Sequence, residues 1–452
     1  MTARLAIDGG KPAVPENFVA HNWERFRKST QEEIAAVVEV LKSGHLSIAL
    51  GKGMPNAEAL EREFAEYIGA KYALAVNSGT ASLHCALAGV GIEPGDEVIV
   101  PAYTFIASAM AVLHQNAIPV FADVNPDTFV IDPTDVERKI TSRTKGIMAV
   151  QMYGLPCDMD PIRDIAKKYN LKVVEDAAQA IGATYKGKKA GSLGDAAGFS
   201  FCTTKQLMAG EGGMVTTDDR ETYERAGMLR LFGEHCDMNA PDRAYISEGI
   251  GWNYKMAETI SALARVKLRH IDDYVGDAQK NAAHLFTLLG DIEGLQSAFV
   301  PDDRTHACYM YPVRVRPESI GLDVPVEKFR NAILKALAAE NVRVSLWQKV
   351  PVPAQTVFQL KVGYAKGCPW NCKGRQDVSY DPFAYPNTIR MLQDHFVVWG
   401  LVPPNTSELM DYYSQAFHKV FANCARTVEI YDRAGIYQPL EKILDELTKA
   451  GK

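Results

Sequence analysis

Three short runs of this chain carry residue types suited to chemistry rather than to packing. The first is Phe199-Ser200-Phe201-Cys202-Thr203-Thr204-Lys205-Gln206, followed by Gly210-Glu211-Gly212-Gly213. Lys205 stands just beyond an apolar strand and beside a glycine-rich turn, a poor place for a solvated surface charge. Partial desolvation lowers the pKa of such an amine and makes it a nucleophile able to form a Schiff base. A lone lysine is ordinarily a surface residue, so its weight comes from its company. The second run is Val173-Val174-Glu175-Asp176-Ala177-Ala178-Gln179, which sets Asp176 at the carboxyl end of an apolar strand. A buried carboxylate needs a cation or several hydrogen bonds. Asp176 therefore either caps the segment that follows or pairs with a cationic heterocycle. The third run is Asn77-Ser78-Gly79-Thr80-Ala81-Ser82, between a strand and a helix. Gly79 lets a backbone approach a ligand, the helix start presents unpaired N–H groups, and Ser78 and Thr80 add hydroxyls, a set that suits a phosphate. The same residues also read as an ordinary Ser/Thr N-cap. They are not a Walker A loop, because the Gly-Lys-Ser/Thr ending is missing.

The elements that must position these runs follow from periodicity. From about Ala57 to Thr217, short β-branched runs alternate with helical stretches. Strands are expected at Lys71–Val76, Glu97–Val100, Ile118–Phe121, Gly146–Val150 and Leu171–Glu175, with helices at Ala81–Val90, Ile106–Gln115 and Met159–Tyr169. Such alternation predicts a mainly parallel sheet covered on both faces. Ala197–Phe201 and Gly213–Thr217 add a strand pair, one member of which can run antiparallel. Beyond a long helix expected over Ala257–Leu289, a strand at Tyr309–Val315 and helices at Val326–Glu340, Leu409–Asn423 and Leu440–Lys449 form a second texture. Lys361–Tyr385, rich in Gly, Pro and Tyr, reads as irregular. These changes divide the chain into residues 1–275 and 276–452. All three runs lie in the first part, on loops after strands, where open α/β sheets bind ligands.

Composition excludes other classes. With 47% hydrophobic and 23% charged residues the 452-residue chain is globular rather than disordered. A net charge of −6 without a basic stripe argues against nucleic-acid binding. No apolar run approaches a membrane span, and Met1-Thr2-Ala3-Arg4-Leu5 lacks the order of a secretion signal. The eight cysteines are scattered, which is not a disulfide framework. A soluble, cytoplasmic enzyme is expected. Cys368 and Cys372, with Cys308 upstream, lack the second pair of a zinc site and read as loop thiols, so no metal is expected. His235 and His306 receive no role.

Together the three runs offer an amine for an aldehyde, a carboxylate for a ring nitrogen and a cup for a phosphate, which is what pyridoxal phosphate needs. Pro101-Ala102-Tyr103-Thr104-Phe105 adds aromatics able to stack on a ring. This ordered set, closed by Gly251-Trp252-Asn253-Tyr254-Lys255-Met256, resembles the DegT/StrS family of sugar and cyclitol aminotransferases over about residues 20–350. The resemblance implies the fold of the aspartate aminotransferases (fold type I): a mixed, mainly parallel seven-stranded sheet with a smaller α+β C-terminal domain. It implies that Lys205 holds the cofactor, Asp176 pairs with the pyridine nitrogen, Gln179 contacts the ring hydroxyl side and Phe105 stacks on the ring. It assigns the phosphate to Ser78, Gly79, Thr80 and Ser200, with Asn253 reaching across a homodimer. Lys255 replaces the arginine usual in the family. Gly210-Glu211-Gly212-Gly213-Met214 is similar to the branch acting on cyclitol ketones and in aminohydroxybenzoate formation. The implied activity is transfer of an amino group from glutamine or glutamate to a keto-sugar or cyclitol ketone. The alternatives are an aromatising enzyme of the 3-amino-5-hydroxybenzoate type and a non-catalytic regulatory relative. Retention of both Lys205 and Asp176 argues against the last. From about Lys361 onward the chain leaves the family's usual ending.

Overall fold

The computed structural model describes residues 3–16, 18, 28–47, 55–235, 245–297 and 299–450. Seven strands, β1 (Tyr72–Val76), β2 (Glu97–Pro101), β3 (Ile118–Ala122), β4 (Thr144–Val150), β5 (Lys172–Asp176), β6 (Ala196–Ser200) and β7 (Gly213–Thr217), form one sheet. Their spatial order is β1-β7-β6-β5-β4-β2-β3. Val, Ile and Ala dominate these strands because helices cover both faces, leaving no polar side to alternate with. The pairs β2–β3, β2–β4, β4–β5 and β5–β6 are parallel, whereas β7 runs antiparallel to both β6 and β1. Two reversals restore direction, so β1 points the same way as β6. The carboxyl ends of β1, β2, β4, β5 and β6 thus share one edge. This is the seven-stranded mixed sheet that the resemblance implied.

Helices α1 (Gly79–Gly89), α2 (Ile106–His114) and α3 (Met159–Tyr169) form the crossovers that follow β1, β2 and β4. Small residues let α1 sink between the sheet and the helix Arg220–Arg230. A Cβ on Gly89 would lie 2.7 Å from the Thr222 carbonyl oxygen. The helix expected over Ala257–Leu289 is two, α4 (Glu258–Arg269) and α5 (Ile271–Leu288), parted at His270, whose φ/ψ of −111°/11° is not helical. Ala264 and Leu268 of α4 pack in the first core, and so do Ile271 and Val275 of α5. Ala278, Ala282 and Leu285 belong to a second core. That core is built on an antiparallel sheet of β8 (Leu295–Ser297), β9 (Tyr311–Val315), β10 (Val344–Ser345) and β11 (His395–Val398), in the order β8-β9-β11-β10. Helices α6 (Val326–Ala339) and α8 (Ser407–Phe421) cover it, and α7 (Pro386–Asp394) leads into β11. Leu5 and Val14 from the chain's start pack in this second core as well.

The irregular stretch after residue 350 consists of short turns around the fully buried Trp370. Trp370 Nε1 donates to Tyr380 Oη at 2.9 Å, and that hydroxyl donates to the Pro119 carbonyl of β3 at 3.0 Å. The stretch therefore covers an edge strand that would otherwise present unpaired carbonyls. Cys368 and Cys372, expected as thiols, are joined in a disulfide. Backbone turns from Gly367 to Lys373 bring their Cα atoms to 5.1 Å, within bridging range. Cys308 stays a buried thiol. Among the described residues no helix is long and apolar enough to cross a membrane, and no group of three His, Cys, Asp or Glu could hold a metal ion.

One ion-pair cluster ties the two sheets together. Arg314 of β9 donates to Asp394 at 2.6 Å and to the Pro126 carbonyl, in the loop after β3, also at 2.6 Å. Arg316 meets the same carboxylate at 2.7 Å. Arg314 and Asp394 are almost wholly buried. Removing one partner of such a pair strands the other charge and costs about 3–5 kcal/mol. Asp394→Ala is expected to lower the thermal midpoint by several degrees. An unchanged melting curve would mean that the pair contributes nothing.

Candidate active site

Neighbouring strand residues point to opposite faces, and the pair at the end of β5 divides its work accordingly. Glu175 is fully buried and accepts from Gly191 N, Leu193 N, Gly194 N and Gln151 Nε2 at 2.6–2.9 Å. Four donors saturate that carboxylate, so it is structural. Asp176, also buried, has two: Ser108 Oγ donates at 2.6 Å and the Ala178 N–H at 3.2 Å. An ionised carboxylate offers about four lone-pair sites, so Asp176 keeps capacity for another donor. Burial raises its pKa, while Ser108, the Ala178 N–H and the positive charge of Lys205 pull it partly back. The environment asks for a cation.

Lys205 lies on the loop after β6, half-buried. Its Nζ is 3.4 Å from Tyr309 Oη and 4.4 Å from the centre of that ring, while Thr204 Oγ1 holds the same hydroxyl at 3.1 Å. At the end of β6, Ser200 meets the start of α1: a Cβ on Gly79 would lie 2.6 Å from Ser200 Cβ, so only glycine lets the two approach. Ser78 is the N-cap of α1, its Oγ accepting from the Ala81 N–H at 3.1 Å. The cap and the phosphate reading are compatible, because capping through Ala81 leaves the first N–H groups of the helix unused. A cradle of this kind suits an anion.

Gln179 is held from two sides. Its Oε1 accepts from the Tyr153 N–H at 2.7 Å, and its backbone carbonyl accepts from Gln206 Nε2 at 2.6 Å. Tyr153 adopts φ 60°, a left-handed conformation costly for an aromatic residue. Its hydroxyl meets His395 Nε2 of β11 at 3.0 Å and is also hydrogen-bonded to Tyr103. His395 donates from Nδ1 to the Met391 carbonyl, and burial lowers its pKa to about 4, so a neutral ring accepts from the tyrosines.

Phe105 immediately precedes α2 with 51% of its surface exposed, its ring 6.2 Å from that of Trp347. Asn253 is exposed. Its backbone carbonyl accepts from Asn77 Nδ2 at 3.3 Å, beside the α1 cradle of its own chain, and its Oδ1 accepts from Lys255 Nζ. The fold thus brings Asp176, Gln179, Ser200, Lys205, Ser78, Gly79, Thr80 and Phe105 to one edge, with Asn253 at its margin. His306 is a satisfied turn residue, its Nδ1 accepting from the Cys308 N–H at 2.8 Å. His235 is exposed.

The sequence reading missed Ser108, Tyr309, Tyr153, His395 and Trp347. For Ser108 a cue existed: Thr104 and Ser108 are one helical turn apart and their hydroxyls pair at 2.8 Å. The other four come from loops and from the second sheet, whose proximity no local pattern encodes. The residues present fit pyridoxal phosphate: an under-satisfied buried carboxylate for a ring nitrogen, an amine whose charge reaches it, and a glycine-lined helix start for a dianion.

Comparison with known proteins agrees. A profile of the DegT/DnrJ/EryC1/StrS aminotransferase family matches residues 27–398. The chain is 38% identical over 340 residues to dTDP-3-amino-3,6-dideoxy-alpha-D-galactopyranose transaminase of Aneurinibacillus thermoaerophilus, covering 74% of this chain and 85% of that protein. It is 36% identical over 344 residues to L-glutamine:2-deoxy-scyllo-inosose aminotransferase of Streptomyces fradiae, covering 75% and 80%. Among solved structures, 3-amino-5-hydroxybenzoic acid synthase superposes with a TM-score of 0.75 at 30% identity, covering 88% of this chain and 97% of that one.

The Asp176 environment has a measurable consequence. Its folded-state pKa lies above the ordinary 3.8, so the charged form is the costly one. The stability contributed by the neutral form is present in acid and lost as pH rises through the folded pKa. In the cofactor-free protein, Asp176→Asn should therefore melt at least as high as the parent, with the difference growing as pH rises from the ordinary carboxylate range through the raised folded pKa. A variant that is less stable at every pH would show Asp176 to be a structural cap.

Proposed function

The chain belongs to the DegT/DnrJ/EryC1/StrS aminotransferase family, and from that premise we propose that it transfers an amino group from glutamine or glutamate to the ketone of a sugar, often nucleotide-linked, or of a cyclitol, with pyridoxal phosphate as cofactor. The observation that carries the reading is the buried, under-satisfied Asp176 within electrostatic reach of Lys205, on the same sheet edge as the Gly79–Ser200 cradle. Pyridoxal phosphate, when bound, supplies an aldehyde and a ring that draws electrons from the reacting carbon. Asp176 holds a proton at the ring nitrogen. Opposite charges about 4 Å apart gain on the order of 4 kcal/mol at an effective dielectric near 20. Lys205 Nζ would anchor the cofactor and, as a free amine, would take up and return a proton at the reacting carbon. Gln179 orients the ring hydroxyl side, Phe105 covers a ring face, and Ser78, Gly79, Thr80 and Ser200 hold the phosphate.

The two relatives' names include a nucleotide-linked amino sugar and a glutamine-dependent inosose aminotransferase, which supports the acceptor classes and the donor. The likeness to 3-amino-5-hydroxybenzoic acid synthase favours a second reading, an enzyme that dehydrates and aromatises a cyclic amino ketone. The remaining parts of the proposal are a cytoplasmic homodimer with shared sites and a division into residues 1–275 and 276–452.

Incubation with glutamine, glutamate and a panel of nucleotide keto-sugars and inososes, followed by mass spectrometry, tests the reading. At least one ketone should gain an amine in place of its oxygen, and an aromatic product would select the second reading. Borohydride reduction and peptide mapping should place the pyridoxyl group on Lys205, and Lys205→Ala should stay folded but carry none. A label on another lysine would refute the assignment.

Subunit sharing is separately testable. Lys205→Ala and Asn253→Ala chains, each nearly inactive, are unfolded and reassembled together. If Asn253 serves the neighbouring subunit's site, one site of each mixed dimer is intact and activity returns. If it serves its own chain, as its place beside Asn77 also permits, every mixed site keeps one defect and nothing is recovered. Loss of a hydrogen bond to a charged phosphate costs about 1.5–3 kcal/mol, enough to read.

A further inference from the structure

A free lysine amine has no fixed direction of its own, because it rides on a flexible aliphatic stem. The proposed reaction needs Lys205 Nζ both free and aimed. The structure holds it at a single side chain from the second half of the fold. Nζ donates to Tyr309 Oη at 3.4 Å and also stands 4.4 Å from the centre of that ring, within cation–π range. Thr204 Oγ1 lies 3.1 Å from the same hydroxyl. A lysine ammonium has only donors to offer, so Tyr309 Oη accepts from Nζ and turns its own proton toward Thr204.

Tyr309 is itself firmly placed. It is buried, two residues before β9, and the backbone on either side of it is pinned to one loop of the first sheet. The Ala307 N–H donates to the Gly154 carbonyl at 2.8 Å, and the Met310 N–H to the Tyr153 carbonyl at 3.5 Å. Between them Cys308 takes φ 51°, a left-handed backbone that a side chain adopts only where its surroundings impose it. Trp399 meets the Tyr309 ring edge-on at 6.3 Å between centres, and its own Nε1 is fixed on Ser345 Oγ at 2.8 Å. The loop that pins Tyr309 is also the one whose Tyr153 N–H holds Gln179. Lysine and glutamine are thus set from one support.

Resting on the aminotransferase reading, we infer that Tyr309 is the positioning residue for Lys205: whenever Nζ is free, the Tyr309 hydroxyl and ring hold it with one N–H engaged and its lone pair left for the proton of the reacting carbon. As the C–H bond breaks, the proton ends on Nζ and the electron pair stays behind with the carbon. Nζ, now an ammonium, keeps its hydrogen bond until it gives the proton back. Tyr309 retains its own proton throughout and acts as neither acid nor base.

The test loads the protein with pyridoxamine phosphate, which leaves Lys205 free, and labels its amines with a trace of acetic anhydride before peptide mapping. An acceptor on Nζ favours the ammonium, which the reagent does not attack. Relative to the other lysines, Lys205 should therefore be labelled about three- to ten-fold faster in Tyr309→Phe, which keeps the ring and loses the hydroxyl. In the half-reaction with glutamine or glutamate, the same variant should lose about ten-fold in kcat with KM nearly unchanged. Deuterium at the donor's α-carbon should slow it more than it slows the parent, because the proton transfer has become the harder part. Thr204→Val, which frees the Tyr309 hydroxyl to turn, should shift labelling and isotope effect the same way by less, and it decides the matter if Tyr309→Phe does not fold; Thr204→Ser should restore the parent's labelling. Labelling of Lys205 at the parent's rate, or an isotope effect equal to the parent's whatever the rate, would overturn the inference. A protein that binds no pyridoxamine phosphate or aminates no ketone would instead refute the proposed function, and labelling of the unloaded chain would still decide whether Tyr309 holds Lys205.

Discussion

The burial of one carboxylate organises this molecule. Asp176 sits at the end of a strand covered on both faces, where a charge is tolerated only if donors or a cation reach it. Its donors come from different elements: Ser108 from α2 and the Ala178 N–H from its own loop, with the positive charge of Lys205 beyond β6 adding to them. Ser108 and Lys205 arrive from separate crossovers, so the order and direction of the strands that carry them matter to this single group. The neighbouring Glu175 shows the alternative outcome, since saturation by four donors turns an equally buried acid into scaffold.

The second sheet takes part in the site rather than standing beside it. Through the Tyr153 hydroxyl, His395 on β11 reaches the residue whose backbone N–H holds Gln179. The left-handed backbone at Tyr153 is kept in place by this pairing together with the contact to Tyr103. A shift of β11 relative to the first sheet would therefore be felt at Gln179 without any bound molecule acting as messenger.

Much of this was legible beforehand because it is local. Strand and helix periods placed β1 to β5, α2 and α3 to within a few residues, and hydroxyl, glycine and acid at strand ends marked the edge where they meet. The chain could not announce the break at His270, where neither glycine nor proline interrupts the pattern and apolar residues on both sides of it enter the same core. Nor could it announce Tyr309, an ordinary residue that matters because the approach to β9 brings its hydroxyl to 3.4 Å from Lys205 Nζ. The Cys368–Cys372 bridge was hidden for a related reason, since it depends on a turn that forms around Trp370.

The reversed strand β7 has a consequence for how the protein is made. In the sheet β1 pairs with β7 alone, and β7 lies far downstream in the chain. As the polypeptide leaves the ribosome, β2 to β5 can assemble in succession, while β1 and the Gly79 turn wait for a partner that has yet to be synthesised. Closing so long a loop is slow, as is usual for contacts between residues distant in sequence. A truncated chain ending before Gly213 would therefore leave β1, and with it the strand that leads into the Gly79 turn, without its partner in the sheet.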